Sequence, residues 1–298
     1  MEQQNVTKMM TKYDIKRKES DGPKQPSVVL LEKYGVPYLG FPAFKKTEGV
    51  KHLFTTRFGG VSQGIFSTMN LSFTRGDEKE AVYENYRRIA KVMECDMEDM
   101  VCSHQTHTAN IRKVTAADRG KGLTCPQDFE DIDGLVTSEK GICLALFFAD
   151  CVPVYFADPV KKVIGLAHSG WKGTVSRISR EMVRLMVEDY GCMEKDIVVA
   201  IGPSICQECY EVSEDVATAF EEAFGGAKED GILLPGKAQG KYQLGLWQAV
   251  ERTLLESGIL KENITVTDVC TCCNPEILFS HRASNGKRGN LGAFLRLI

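Results

Sequence analysis

The sequence lacks any apolar run of transmembrane length and any strong net charge. A formal net charge of −3 over 298 residues does not indicate the basic surface that binds nucleic acid. The first twenty residues lack the apolar core of a secretory signal. We therefore expect a cytoplasmic protein that binds neither a membrane nor nucleic acid.

Histidine is scarce, with five residues, whereas cysteine is frequent, with eleven. An odd cysteine count in a chain without a leader argues against a disulfide scaffold. In a reducing compartment, cysteines are buried small residues, metal ligands or nucleophiles. We expect the inert, buried role for Cys95, Cys102, Cys125, Cys143 and Cys192.

The sequence from Ile142 to Gly173 organises the chain, because short apolar runs rich in β-branched and aromatic residues alternate there with polar residues. This pattern predicts three strands followed by a helix, at Cys143–Ala149, Val152–Ala157, Val163–Ala167 and Thr174–Tyr190. Cys151 falls between the first two strands, and His168 follows the third. A thiol and an imidazole at neighbouring strand ends can share one pocket.

We find no internal repeat and no long linker, which indicates one α/β domain over residues 28–298 with mixed sheets and helices packed outside them. Residues 1–27 are polar and are expected to form a flexible extension. Outside the central stretch, helices are predicted at 78–94, 213–224 and 244–257, and a glycine-rich loop at 225–240.

Three residues stand out as candidate metal ligands: His107, Cys151 and His168. Their spacing fits no compact zinc-binding motif, so the prediction rests on their position beside strand ends. Two imidazoles and one thiolate leave the fourth tetrahedral position open for water or substrate. Asp150 is a candidate to orient one of these ligands. The alternative is a buried cysteine with two structural histidines.

A second group of cysteines competes for a metal. Cys206 and Cys209 form a C-x-x-C pair, and Cys270, Cys272 and Cys273 could complete a four-thiolate structural zinc site if the two segments meet. Their internal spacing does not match a common zinc ribbon, so metal binding stays an open alternative here.

Arg57 precedes Gly59-Gly60, a sequence that permits close backbone approach. A guanidinium there can bind phosphate through two hydrogen bonds, or it can tie down its own loop through carbonyl oxygens. Lys172, at a predicted helix start, is a second phosphate candidate. Trp171 is interpreted as a core residue, with base stacking as the alternative.

These residues lie in motifs that together resemble the laccase-domain family, also called polyphenol oxidase-like, peptidoglycan editing factor or purine nucleoside phosphorylase family. The ordered set covers the chain from about residue 28 to its end and comprises TTRFGGVSQG, MNLS, the QTH of Gln105–His107, ADCVPV, HSGWKG, IGPSICQECYEV and CTCCNPEILFSHR. The chain departs from the family pattern at Thr106, often valine, and at His281, usually tyrosine.

The resemblance implies a layered α/β/β/α sandwich and a zinc site, with copper as a possible substitute, held by His107, Cys151 and His168, which would also be catalytic. It implies a transferase that phosphorolyses adenosine, inosine and 5′-methylthioadenosine with inorganic phosphate, and a hydrolase that deaminates adenosine at the same site. Further substrate contacts are expected at Asn70, Gln105 and Arg282. The protein would be a monomer or a homodimer.

Three other functions stay open at this point. Cys151 and His168 could be the nucleophile and base of a cysteine hydrolase or deamidase. One cysteine and two histidines also resemble a blue-copper set, which would suit a phenol oxidase. The third alternative is a non-catalytic protein that binds a peptidoglycan precursor.

Overall fold

The structure, a computed structural model, describes residues 8–9, 13–18 and 26–298. Most of the predicted extension over residues 1–27 lies outside the described residues. Where this segment is described, it binds the rest of the chain. Arg17 forms an ion pair of 2.6 Å with Asp268, and the backbone N–H of Lys16 donates to Oδ1 of Asn274 at 2.8 Å.

Most strands follow the short apolar runs of the sequence. They are β1 Lys8–Met9, β2 Val29–Lys33, β3 Val36–Gly40, β4 Val50–Thr55, β5 Met100–Cys102, β6 Ile111–Lys113, β7 Gly134–Thr137, β8 Cys143–Phe148, β9 Val152–Asp158, β10 Val163–Ser169, β11 Val198–Ile201, β12 Glu211–Ser213, β13 Leu233–Pro235, β14 Lys241–Leu244, β15 Ile264–Val266 and β16 Leu291–Leu297. The α-helices are α1 Lys79–Met93, α2 Trp171–Val175, α3 Ile178–Tyr190, α4 Glu214–Phe224 and α5 Leu246–Glu256.

Two mixed sheets form the centre of the fold. The first has the strand order β1-β2-β3-β4-β16-β8-β5, and the second has the order β15-β11-β9-β10-β7-β6. A small third sheet, β12-β14-β13, lies beside them. Strands β9 and β10 are buried at every position, which explains why both read as continuous apolar runs.

Alternating residues of β9 show how the layers stack. Tyr155 and Ala157 pack between the two sheets with residues of the first sheet such as Leu144. Val154 and Phe156 pack on the opposite face, against α3, α4 and α5. Helix α1 covers the outer face of the first sheet. These layers are the α/β/β/α sandwich that the resemblance implies, so the predicted fold class is confirmed.

The predicted helix over 174–190 is wrong at its start, because two helices occupy this region. Helix α2 ends at Val175, and Arg177 adopts a left-handed backbone conformation with φ of 60° before α3 begins. The Arg177 guanidinium donates to the Ala223 carbonyl at 2.8 Å and to the Thr253 hydroxyl at 2.9 Å. Contacts with distant residues therefore fix this break, which helical periodicity does not reveal.

The predicted loop at 225–240 is also only partly correct. Leu233–Pro235 forms β13, which pairs with β14 in the small sheet. Its partner β14 continues to Leu244, so α5 begins at Leu246, later than predicted. A three-residue strand is too short to show a period, and that is why the sequence did not predict it.

The three predicted strands of the central stretch exist, but they belong to different sheets. Strand β8 lies in the first sheet, whereas β9 and β10 form an antiparallel pair in the second. The link between β8 and β9, residues 149–151, therefore crosses from one sheet to the other. Cys151 lies in this crossing, at an edge that both sheets share.

Candidate active site

The crossing that carries Cys151 is held by its neighbour Asp150. Asp150 has a positive φ of 88°, an uncommon backbone conformation for an aspartate. Its carbonyl accepts a hydrogen bond from the Ile205 N–H at 3.0 Å. Its carboxylate accepts from the Thr271 hydroxyl at 2.6 Å and from the Arg282 N–H at 2.7 Å. Asp150 thus fixes the turn that carries Cys151. Its carboxylate accepts hydrogen bonds from Thr271 and Arg282 and from none of the candidate ligands.

The sequence predicts His168 just after the third strand, but in the structure it lies within β10. There it pairs with Pro153 of β9. Residues 164 and 166 of this strand face the space between the sheets, and the two-residue period of a strand places His168 on the same face. Its ring is 5.3 Å from that of Phe148, the last residue of β8. The side chain therefore points towards the crossing.

Asp133, which the sequence analysis did not single out, orients both histidines. Its fully buried carboxylate bonds to Nδ1 of His168 at 2.7 Å, so Nε2 of that ring is free for a ligand. The same carboxylate accepts the backbone N–H groups of Thr106, His107 and Thr108 at 3.1, 3.1 and 2.7 Å. These bonds hold His107 at a positive φ of 68°.

The three candidate ligands converge, as predicted. The ligand atoms of His107, Cys151 and His168 all lie within 4.8 Å of one another, and Sγ of Cys151 is 3.9 Å from Nε2 of His107. Gly170 allows this approach. A Cβ at that position would lie 2.8 Å from Cδ2 of His107 and 3.0 Å from Sγ of Cys151.

The electrostatics of the three side chains favour a thiolate. Burial by itself raises the pKa of a thiol, but the imidazoles of His168 and His107 outweigh it and lower the pKa of Cys151 to about 6. Burial disfavours a charged His168, but the Cys151 thiolate and Asp133 outweigh that effect and raise the pKa of His168 to about 9. The two pKa shifts therefore favour a negative charge on the Cys151 sulfur and a positive charge on the His168 ring.

This donor set fits a tetrahedral metal ion such as zinc. Bonds of about 2.0–2.3 Å place a nitrogen and a sulfur ligand about 3.6 Å apart, close to the separation found here. His168 is buried and Cys151 half-buried, whereas His107 is exposed. The fourth position therefore faces open space, which is the arrangement of catalytic zinc sites.

That open space is a cavity of about 450 Å³. The volume lies within the range of small-molecule sites, roughly 300–1,000 Å³. Its walls combine the three candidate ligands with aromatic rings, polar groups and two arginines, among them Phe148, Ser72, His104, Arg75 and Arg288. No aspartate or glutamate is among the described residues that line it.

Arg288 is a buried cation in the cavity wall. The residue is only 8 % exposed, its Nε has no hydrogen-bond partner, and no described carboxylate forms an ion pair with it. Burial and the nearby charge of Arg75 lower the pKa of Arg288 to about 10. A buried guanidinium without an anionic partner, next to a second arginine, creates a site that favours an anion.

Arg57 and Lys172, the phosphate candidates of the sequence analysis, do not line the cavity. The guanidinium of Arg57 donates to the carbonyls of Ser67 and Pro275 at 3.0 and 2.8 Å and lies over the ring of Phe279. This geometry favours the alternative in which Arg57 ties down its own loop. Lys172 is exposed on α2, and its ammonium group lies 5.6 Å from the centre of the Trp171 ring.

Of the other three predicted substrate contacts, Gln105 lines the cavity, whereas Asn70 and Arg282 do not. Asn70 is buried and bonds to Ser72, Asp77 and Asn290, of which Ser72 and Asn290 line the cavity. Gln105 lines the cavity, but its amide is bonded to both backbone groups of Phe147. The Arg282 guanidinium donates to the carbonyls of Cys209 and Glu211, outside the cavity.

Sequence reasoning thus missed Asp133, Arg75 and Arg288. Asp133 directly precedes the buried strand β7, and this position was the sequence feature that could have marked it as a functional residue. Arg75 and Arg288 each lie beside a glycine, at Gly76 and Gly289, which is the pattern that drew attention to Arg57.

Residues 51–298 match the family model described as multi-copper polyphenol oxidoreductase laccase. The chain belongs to this family. It is 40% identical over 243 residues to purine nucleoside phosphorylase YlmD of Bacillus subtilis, a match that covers 81% of this chain and 86% of that protein. It is 31% identical over 241 residues to adenosine deaminase RL5 of an unknown prokaryotic organism, covering 80% and 90%.

The fold is also similar to that of a solved relative. The crystal structure of YlmD from Geobacillus stearothermophilus superposes with a TM-score of 0.81 at 38% identity, over 89% of this chain and 97% of that one. These comparisons confirm the predicted family and α/β fold, and they support the prediction of an enzyme. Within the part of the chain that the structure describes, no helix is long and apolar enough to cross a membrane.

Proposed function

We propose that this chain is a zinc-dependent purine nucleoside phosphorylase for adenosine, inosine and 5′-methylthioadenosine, and that it also deaminates adenosine at the same site. The observation that carries the proposal is the opening of the His107, Cys151 and His168 cluster into the arginine-lined cavity. Relatives named for both activities support it.

In this proposal, His107, Cys151 and His168 hold the metal. When bound, zinc supplies Lewis acidity and lowers the pKa of a coordinated water. Asp133 holds His168 with Nε2 directed at the site, and it fixes the backbone of His107. Gly170 leaves room for both side chains to meet.

The phosphate co-substrate binds at Arg75 and Arg288 in this account. Both line the cavity, Arg288 is buried without an anionic partner, and Arg75 forms no ion pair with any described residue. Two guanidinium groups can satisfy several phosphate oxygens at once, and the burial of Arg288 strengthens the bonds that it makes. This assignment replaces Arg57 and Lys172.

Phosphorolysis also needs a proton donor for the departing purine, and His104 fits that role. It lines the cavity, and its Nδ1 accepts a hydrogen bond from the Asp131 N–H at 3.3 Å. A neutral ring bonded in this way carries its hydrogen on Nε2, which makes that nitrogen the donor. A hydrogen on Nε2 is available to a base that binds in the cavity.

A cysteine hydrolase is the second candidate, because Cys151, His168 and Asp133 also resemble a nucleophile, a base and the carboxylate that orients the base. Metal removal separates the two functions. A zinc enzyme loses activity with a chelator and regains it with zinc, whereas a cysteine hydrolase keeps its activity with the chelator and loses it after thiol alkylation.

The proposal is tested by incubating adenosine with the purified enzyme at increasing phosphate concentration and separating adenine from inosine. Adenine release should rise with phosphate and saturate, while inosine release should not require phosphate. Failure of the zinc-loaded enzyme to convert adenosine, inosine or 5′-methylthioadenosine would contradict the proposed function. Phenol oxidation that depends on copper would favour the oxidase alternative instead.

A further inference from the structure

A second cluster of metal-ligand side chains lies outside the cavity. The sulfurs of Cys206, Cys209, Cys270 and Cys273 all lie within 4.8 Å of one another, and none of these residues lines the cavity. We call these residues the four-cysteine cluster. All eleven cysteines of the chain are free, so the cluster is not explained by disulfides.

The separations in the cluster match a single tetrahedral ion. Sγ of Cys273 is 3.5 Å from Sγ of Cys209 and 4.0 Å from Sγ of Cys206. Bonds of about 2.3 Å from one zinc ion place its sulfur ligands about 3.8 Å apart, between these two values. A disulfide needs sulfurs about 2.0 Å apart, so the cluster is too open for that bond.

The local backbone also suits thiolate ligands. The N–H groups of Cys206 and Cys273 donate to Sγ of Cys270 at 3.2 and 3.4 Å. Such bonds stabilise negative charge on a sulfur. Residues 206–209 and 270–273 each follow C-x-x-C spacing, and Cys272 stays outside the group. The structure therefore resolves the spacing objection, because the second pair is Cys270 with Cys273.

We propose that the four-cysteine cluster is a closed, structural zinc site, distinct from the open site at Cys151. Two of its four ligands are fully buried and two are half-buried, and four sulfurs complete a tetrahedron with no position for substrate. One ion is favoured over an iron–sulfur cluster, because the thiolates of such a cluster bind different irons and lie farther apart.

This zinc ion would join two segments that support the active site. Cys206 follows Ile205, whose N–H donates to the Asp150 carbonyl, and Cys270 precedes Thr271, whose hydroxyl donates to the Asp150 carboxylate. Asp150 in turn fixes the turn at Cys151. The ion would therefore stabilise the wall behind the open site without touching the substrate.

The test is zinc analysis of the full chain, purified under reducing conditions and compared with serine variants. The native chain should hold two zinc ions. Cys151→Ser and Cys273→Ser should each hold one, and the double variant should hold none. Cys272→Ser is the matched control, because it changes a neighbouring cysteine outside the cluster, and it should keep both. One zinc in the native chain that Cys151→Ser removes would overturn the proposal.

A second measurement does not depend on how well Cys273→Ser folds. X-ray absorption at the zinc edge of Cys151→Ser, which retains the whole cluster, should show four sulfur ligands at about 2.3 Å. Nitrogen or oxygen ligands there would overturn the assignment. The visible absorption of a tetrathiolate iron centre, or a Cys209–Cys273 disulfide in the native chain, would do the same.

Discussion

The chain carries two groups of side chains that could hold a metal ion, and the two differ in features that separate catalytic from structural metal sites. The first, His107, Cys151 and His168, has three ligands of mixed type and opens into a cavity. The four-cysteine cluster has four sulfurs, lies apart from the cavity and leaves no free position. In the proposed assignments, cysteine therefore serves two purposes in one molecule, and its surroundings decide which.

The two groups also differ in the chemical groups that bond to their side chains. In the open site, the Asp133 carboxylate bonds to His168 and to the backbone of His107. In the four-cysteine cluster, backbone N–H groups bond directly to a sulfur. The carboxylate makes the His168 ring a stronger base, whereas the N–H groups stabilise negative charge on the Cys270 sulfur. This difference predicts which substitutions affect activity and which affect stability.

The largest effect is expected from His107→Ala. It removes a ligand of the open site and should reduce both adenine and inosine release to the assay background, with the loss of the zinc bound there. His104→Ala is the matched control for the metal, because it changes a histidine that lines the same cavity without belonging to the ligand group. It should retain the zinc. Equal zinc loss in both variants would show that the ligand is misassigned.

Gly170→Ala tests the open site without removing a ligand. Its new Cβ would lie 2.8 Å from Cδ2 of His107, closer than real Cβ contacts, and 3.0 Å from Sγ of Cys151. We expect loss of zinc from this site while the fold, measured by circular dichroism, remains. Full zinc content in Gly170→Ala would contradict this geometry.

Asp133→Asn should weaken the open site without abolishing it. The carboxylate orients His168, and loss of such a partner typically costs about 10–100-fold in metal affinity. A competition titration with a fluorescent zinc chelator measures that affinity, with Cys151→Ser reporting the contribution of any other site. Affinity within twofold of the native value would mean that Asp133 only supports the fold.

The narrowest effect is expected from Arg75→Ala, because it should change phosphate binding and leave the metal in place. Loss of a charge-assisted phosphate contact costs on the order of 1.5–3 kcal/mol, or roughly 10–100-fold in affinity. The KM for phosphate in adenine release should rise accordingly, while inosine release changes little. Lys172→Ala, which removes an exposed cation outside the cavity, should leave both unchanged. An equal fall in both products for Arg75→Ala would refute the phosphate role.

The strands and two candidate ligands of the open site, Cys151 and His168, could be predicted because their signals are local. Cys151 and His168 stand where apolar runs end, and both are found near a strand end in the structure. His107 was predicted from its position beside a strand end, and it also matches the QTH motif of the family. The convergence of all three was nonetheless predicted correctly.

The roles that were missed or left open depend on contacts between distant segments. Asp133 orients His107 across 26 residues of chain and His168 across 35. The Arg57 side chain is bound by the Pro275 carbonyl, 218 residues away. The pairing of Cys206 with Cys273 spans 67 residues. Composition and spacing carry no information on which loops meet, so these assignments required the structure.

The most direct test of the account removes and restores the metal of the open site. The enzyme is treated with a chelator until adenosine phosphorolysis stops, zinc content is measured, and zinc or copper is then added back in stoichiometric amounts. We predict that activity falls in proportion to the zinc lost from the open site and returns on addition of one equivalent of zinc. Activity that persists with this site empty, or that returns only with copper, would contradict the account.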